Sequence, residues 1–458
     1  MTLAVEINDA GIALAADGAL LAEEPGIAML DGARPVTGVA AARRARLNPM
    51  FAENRHWQDL ADAPLARPLP AARTLAEVAF AQLAALRGVV ADRDRATLFA
   101  VPAAYTREQL ALLLGMAREA ELEPVGLVDA ALASVAREPA PAQLLHLDLG
   151  LHRATLSVLE HSGELRRLRY EILPQHGWLA LQQGWLDMIS SAFVRRTRFD
   201  PLHEASSEQR LCDSLPGWLP AAAEGSAVTI ELPTAEGPVT IEIPAAEFAA
   251  TASRHYDEYL RIVQRARPAS GMLHLRLSHR CAALPGLPER LRELRDIELT
   301  MLPAGAAALG ALAHEREIRR DPRQLSLVQH LPVPALGTAQ TTGERRSTVP
   351  PELHPTHLVH GSRAYALRGR PLALGSGVPT DRRGLRVDAG PGVSRLHCSL
   401  RRQDGGGVWL EDHSTYGTFV NDERVSGRIE LRVGDRLRIG SPGVDCELVQ
   451  AVEDDGAA

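Results

Sequence analysis

Positions 3–7 alternate like a strand and the apolar run 12–16 reads as a second one, with Asn8 to Gly11 between them and Asp17-Gly18 after, which predicts an opening hairpin. The period then changes. Over 74–87, Leu75, Val78, Ala79, Leu83 and Leu86 fall on one face of a helix. Positions 96–101 form a continuous apolar run ended by Pro102, which has no N–H to donate, and read as a buried strand. T-R-E-Q at 106–109 places a hydroxyl at a helix N-cap and a glutamine three residues on, predicting a helix that continues over 110–122. A strand over 125–128 and a helix over 130–136 follow, then a second hairpin, 144–149 and 154–160, around the turn D-L-G-L-H-R. Strand and helix alternate as in a sheet with helices packed on it, and the hairpin theme repeats. Beyond it the pattern predicts helices over 179–196 and 245–266, and strands over 227–232, 239–243 and 272–277.

Past Arg320 the periodicity stops. Residues 321–355 are rich in Pro, Thr and Gly, the composition of an extended linker. From Gly392 to Gly440 short alternating segments, 396–400, 408–411, 418–420 and 436–439, are separated by Gly, Asp, Asn and Ser, which predicts a small all-β sandwich with Trp409 and Phe419 in its core.

A chain of 458 residues, 45% hydrophobic and 23% charged, suffices for two or three globular domains. Its net charge of -7 gives no basic footprint for nucleic acid or an anionic membrane surface. The clusters Arg43, Arg44, Arg46 and Arg195, Arg196, Arg198 read as solvated helix faces. Four cysteines, Cys212, Cys281, Cys398 and Cys446, lie far apart without metal spacing, so neither a disulfide framework nor a metal site is expected. The start M-T-L-A-V-E-I-N-D lacks a basic, then apolar leader, and no apolar run is long enough to span a membrane, so a cytoplasmic protein is expected.

The motifs S-R-L-H (394–397), S-T-Y-G-T-F-V-N (414–421) and G-D-R-L-R-I-G (434–440) closely resemble, in that order, those of the forkhead-associated domain, a β-sandwich whose loops at one end recognise phosphothreonine peptides. The resemblance covers about 358–452. It implies that Ser394 hydrogen-bonds the phosphate, that His397 braces the loop from behind, and that Thr415 bonds phosphate or peptide. Two positions depart from the family. Gly375 is kept, but Ser376 stands where the family has arginine, and Tyr416, before Gly417, where it has asparagine. A phosphate site needs a guanidinium, and Arg382, Arg383 or Arg395 are the residues placed to supply it.

The stretch from Phe99 to Ser134, followed by L-L-H-L-D-L-G at 144–150, resembles the heat-shock-chaperone ATPases of the actin superfamily, and the similarity runs in order over about 1–318, implying a helix over 207–215 before the outer subdomain and a closing helix over 301–312 that contacts adenosine. In that superfamily two glycine-rich turns clamp nucleotide phosphates through backbone N–H groups, beside acidic residues that hold magnesium and water. Here Glu6 stands where the family has aspartate, and Asn8 and Asp9 replace small residues. The second turn keeps Asp148 and Gly150 but adds Leu151, His152 and Arg153, and S-H-R-C from Ser278 replaces paired glycines. Side chains in all three loops argue against ATP hydrolysis, since that chemistry rests on positioning and charge stabilisation; His152, Arg153 and Arg280 are the residues placed to plug the cleft. Asp148 reads as a strand-end residue accepting turn hydrogen bonds.

The expected architecture is therefore an α/β actin-like (ribonuclease-H-like) ATPase fold over 1–320, a linker over 321–356, an all-β forkhead-associated sandwich over 357–452 and a tail over 453–458. The expected function is a cytoplasmic adaptor for phosphorylated protein partners, with no catalytic residues, no cofactor and no metal. Thr342 and Thr348, in the linker, are candidate kinase targets whose phosphates the sandwich would capture in cis. A rival reading is an active ATP- and magnesium-dependent chaperone-like ATPase regulated by its sandwich; a third is a purely structural component.

Overall fold

The computed structural model describes residues 2–90, 96–234, 237–268, 271–319, 325–336, 355–360, 363–367, 371–378, 384–387, 392–403, 407–415, 417–421, 423–425, 427–440 and 444–449. The chain divides into two compact units, Met1–Gln340 and Thr341–Ala458.

Two six-stranded sheets of like construction form the first unit. In one, β1 (Leu3–Glu6), β2 (Ile12–Ala16) and β3 (Ala19–Glu24) run antiparallel in sequence order, and β4 (Ala96–Val101) and β5 (Glu123–Asp129) extend the sheet in parallel from the other side of β1. In the other, β6 (Gln143–Leu149), β7 (Arg153–His161) and β8 (Leu165–Pro174) repeat the antiparallel run, and β9 (Leu273–Leu277) and β10 (Ile297–Met301) repeat the parallel extension. Strands β3 and β8 carry too little apolar alternation to be read from sequence, and each completes a three-stranded meander.

Most helices fall within a few residues of their expected positions; the one expected over 301–312 begins only at Ala306, because Met301 is the last residue of β10. Helix α1 (Leu75–Arg87) is capped by Thr74, and α2 (Arg107–Glu119) opens on a complete capping box between Thr106 and Gln109. Helix α3 (Ala130–Val135) is capped by the buried Asp129, whose other oxygen pairs with Arg167 at 2.6 Å. Helices α4 (Trp178–Thr197), α5 (Ala205–Ala223) and α6 (Ala245–Arg265) enclose the largest core, where Trp185, Phe193, Phe248, Tyr256 and Tyr259 are buried. Helix α5 runs through Pro216 and Pro220, eight residues beyond its expected end. Helix α7 (Ala306–Ala313) closes against α3 through small residues.

The stretch expected as linker from Asp321 begins inside this unit. Strand β11 (Leu327–Val328) pairs with β5 and β12 (His330–Leu331) with β8, so five residues join an edge of each sheet. The first arginine cluster is also differently placed: Arg44 reaches Asp31 at 2.5 Å and Arg46 reaches Glu208 at 2.8 Å from turns after a single-turn helix, whereas Arg195 and Arg196 are exposed in the last turn of α4. No helix among the described residues is long and apolar enough to cross a membrane.

A two-sheet sandwich makes the second unit. One sheet has the order β14 (Arg363–Ala366), β13 (His357–His360), β23 (Val444–Val449), β22 (Arg436–Ile439), β19 (Thr418–Val420), β20 (Glu423–Arg424). The other has β16 (Gly384–Arg386), β15 (Leu372–Gly375), β17 (Cys398–Arg402), β18 (Val408–Asp412), β21 (Arg428–Leu431). Leu358, Leu374, Cys398, Leu400, Leu410, Leu437, Ile439 and Leu448 fill the space between them. Trp409 and Phe419, expected in that core, are not in it. Side chains alternate faces along a strand, and Val408, Leu410, Thr418 and Val420 take the inner positions. The two rings therefore lie outside, covered by Arg428 at 4.4 Å and Arg438 at 4.8 Å.

Candidate functional site

Strand β15 ends where β17 begins, since Leu374 pairs with Cys398, and Cys398 in turn pairs with Asp412 at the end of β18. The segments after Gly375, before Cys398 and between Asp412 and Thr418 therefore emerge at one end of the sandwich. His397, fully buried, ties two of them together. Its Nδ1 accepts from Ser394 N–H at 3.2 Å, which leaves the proton on Nε2 to donate to Gly417 O at 3.1 Å. Ser394 Oγ accepts from Thr415 N–H at 3.2 Å, a bond that leaves its own proton to donate. Asp412 fixes the next turn: its Oδ1 accepts from Thr418 Oγ1 at 2.6 Å and from Ser414 N–H at 3.1 Å. Burial alone would raise the Asp412 carboxyl; those hydrogen bonds outweigh it and hold the group below the ordinary carboxylate range.

Residues 374–440 match the family model of the FHA domain. The second unit carries an FHA domain. A search of curated proteins found no match to the chain. An FHA domain supports interaction with phosphothreonine-bearing protein partners, and the bracket around Ser394 lies within the matched residues.

Of the FHA residues singled out from sequence, Gly375, Ser376, Ser394, Arg395, His397, Thr415 and Gly417 lie together at this end. Ser376 does not face outward as an arginine substitute: its Oγ donates to Val393 O at 3.1 Å and its N–H to Ser394 O at 3.0 Å, so it holds the loop. The Arg395 side chain lies over Gly377, its Cβ 3.0 Å from where a Cβ of that glycine would stand. It thus crosses the turn that begins at the serine found in place of arginine. Arg382, Arg383, Tyr416, Thr342 and Thr348 lie outside the described residues. Arg424 was not anticipated; it sits on β20, outside the three motifs, and only the pairing of β20 with β19 brings it beside Gly417.

In the first unit the two hairpin turns meet each other. Asn8 Nδ2 donates to Asp148 Oδ2 at 2.8 Å, and Asp9 Oδ1 accepts from Leu151 N–H at 2.8 Å. Gly150 is required by this closure, because a Cβ there would stand 2.5 Å from Asp9 Oδ1. Arg280 enters from the third loop and is nearly buried. It donates to Glu6 Oε1 at 3.1 Å, to Glu23 Oε1 at 2.8 Å and to Gly11 O at 2.8 Å, and stands 3.6 Å from Asp148 Oδ1. Burial raises the Glu6 carboxyl above its ordinary range against the pull of Arg280. For Asp148 burial acts the same way, but Arg280, then His146 and Ser278, win and lower it. Ser278 itself caps the short helix that carries Arg280, accepting from Cys281 N–H at 3.4 Å. His152 does not enter the cleft; its Nε2 lies 3.0 Å from Asn54 O. What remains is a cavity of about 70 Å³ lined by Asp9, Tyr105, His146 and Arg153 among others, room for a few waters. Among the described residues, no group of three or more His, Cys, Asp or Glu is placed to hold a metal.

Proposed function

We propose that the protein is an adaptor that binds phosphothreonine-bearing partners through its FHA domain, while its first unit is a docking module of actin-like descent that does not hydrolyse ATP. The observation that carries the first part is the Ser394–His397–Gly417 bracket. It holds a half-buried serine at a loop end, with its backbone anchored by a buried imidazole. Arg395, the next residue, is exposed and carries the kind of group a phosphate needs, a guanidinium. The second part is supported by the doubled sheet, three antiparallel strands extended by two parallel ones, and by Arg280 and Asn8 occupying the corner between the turns.

Fluorescence anisotropy of the full chain with matched phosphothreonine and unphosphorylated peptides tests the binding. The phosphorylated peptide should bind tighter, and Ser394→Ala should weaken it about tenfold or more, since a hydrogen bond to a charged group contributes about 1.5–3 kcal/mol. Equal affinity for the two peptides would remove phosphate from the reading.

A further inference from the structure

In the first unit His176 and His255 come from distant parts of the chain and meet with their Nδ1 atoms 3.1 Å apart and their rings edge to face. His176 lies between β8 and α4, and His255 in the middle of α6. Each is fixed by its surroundings. Gly177 packs so closely on the second hairpin turn that a Cβ there would stand 2.4 Å from Arg153 N, and Gln175 N–H donates to His152 O at 2.9 Å. From the other side the buried Tyr259, one turn after His255 on α6, donates its hydroxyl to His176 O at 2.5 Å. Both imidazoles are half-buried.

Between two neutral imidazoles one Nδ1–H donates to the other Nδ1; with both protons on Nε2 instead, both Nδ1 lone pairs are free. Two nitrogens held at about 2.0–2.1 Å by one ion stand about 2.9 Å apart at a right angle and about 3.3 Å apart at the tetrahedral angle. The observed 3.1 Å falls between these. We propose that His176 and His255 bind one divalent transition-metal ion of the zinc class through their Nδ1 atoms, with water in the remaining positions. The surrounding charges decide the class. Glu258, one turn beyond His255, acts on His176 as a negative charge, but Arg254 and Arg261 act on it as positive ones, and Arg261 already donates to Glu258 at 2.5 Å. That field offers little to magnesium or calcium, which need a set of oxygen ligands. Imidazole nitrogen is the attraction, and it favours zinc, copper and nickel. An ion there joins α6 to the segment that packs on the second hairpin turn, so it should stabilise the first unit, whatever the FHA domain binds.

Calorimetric titration of the full chain, freed of metal by a chelator, with zinc chloride tests the site. Zinc should bind saturably, and His176→Gln and His255→Gln should each weaken it by at least about tenfold, since even a partner that only orients a ligand contributes that much. Zinc should raise the melting temperature of the unaltered chain and leave that of both variants unmoved; melting curves without metal show whether the variants are folded. The copper(II) form gives a readout that needs no variant: its electron paramagnetic resonance should show coupling to two imidazole nitrogens. No saturable zinc binding would leave the pair a plain hydrogen bond and overturn the inference. Zinc binding that both variants retain, magnesium binding as tight as zinc, or copper coupled to a single nitrogen would overturn it too.

Discussion

His56 is fully buried, its Nε2 3.0 Å from Gln82 Oε1, an oxygen that also accepts from Trp57 Nε1 at 2.8 Å. Burial pushes its pKa down to about 4 from an ordinary 6.5. The unfolded chain therefore takes up a proton as pH falls through about 6.5, while the folded chain does so only near 4, so the unfolded state binds more protons in between. The stability tied to a neutral His56 is fully present above pH 7 and is lost as pH falls toward 4. The loss is on the order of 3 kcal/mol. His146, His176 and His255 are lowered by burial too and act in the same direction. The lowered carboxylates, Glu23, Asp148 and Asp200, lose their contributions only below the ordinary carboxylate range. Burial raises the carboxyls of Glu6 and Asp9, which oppose this trend by taking up protons first in the folded chain, so the readout is the difference between variants: His56→Gln should make the urea midpoint of the first unit fall less between pH 7 and pH 5. A slope unchanged by the substitution would place the proton uptake elsewhere.

At the scale of elements, what the sequence disclosed depended on whether a segment's own pattern decides its state. Thr106 and Gln109 cap a helix wherever they stand, and the apolar run Ile12–Ala16 and the period-two run Val408–Asp412 needed no partner to be recognised. Where tertiary pairing decides, the pattern was silent. Leu327–Val328 and His330–Leu331 are too short to alternate and lie in a proline-rich stretch, yet they join both sheets of the first unit. The same holds at the sites. Ser394, His397 and Gly417 were legible because a three-part motif names them; Arg424 and Glu23 were not, because each is brought to its site by an unmotivated edge strand. Trp409 and Phe419 were misplaced because size suggests burial, while the pleat puts their neighbours inside. Leu331 is fully buried and Leu336 is 49% exposed, so Leu331→Ala should destabilise the first unit by about 2–5 kcal/mol and Leu336→Ala by less than about 0.5 kcal/mol. Chemical denaturation followed by tryptophan emission measures both, and equal small effects would mean the segment is dispensable.

For the molecule as a whole, the question that separates an adaptor from an enzyme is whether the first unit takes up a nucleotide with its metal. A triphosphate entering between the two turns would have to break the Asn8–Asp148 and Asp9–Leu151 bonds and displace Arg280 from Glu6 and Glu23. Displacing the arginine would leave its carboxylates unpaired in a poorly solvated corner, and breaking such a buried pairing costs about 3–5 kcal/mol. The incoming phosphates would then face Glu6, Asp9, Glu23 and Asp148, an arrangement of like charges that a magnesium ion would have to overcome without a prepared ligand set. Calorimetric titration of the full chain with ATP and magnesium should accordingly give no saturable heat, and the melting temperature should not rise with nucleotide, as it must for any ligand that binds only the folded state. Arg280→Ala serves as the control. It opens the corner without adding a phosphate-binding N–H, so it should lower stability and still not confer nucleotide binding. Saturable, magnesium-dependent heat in the unaltered chain would show that Arg280 moves aside at little cost, and would favour the ATPase reading over the adaptor.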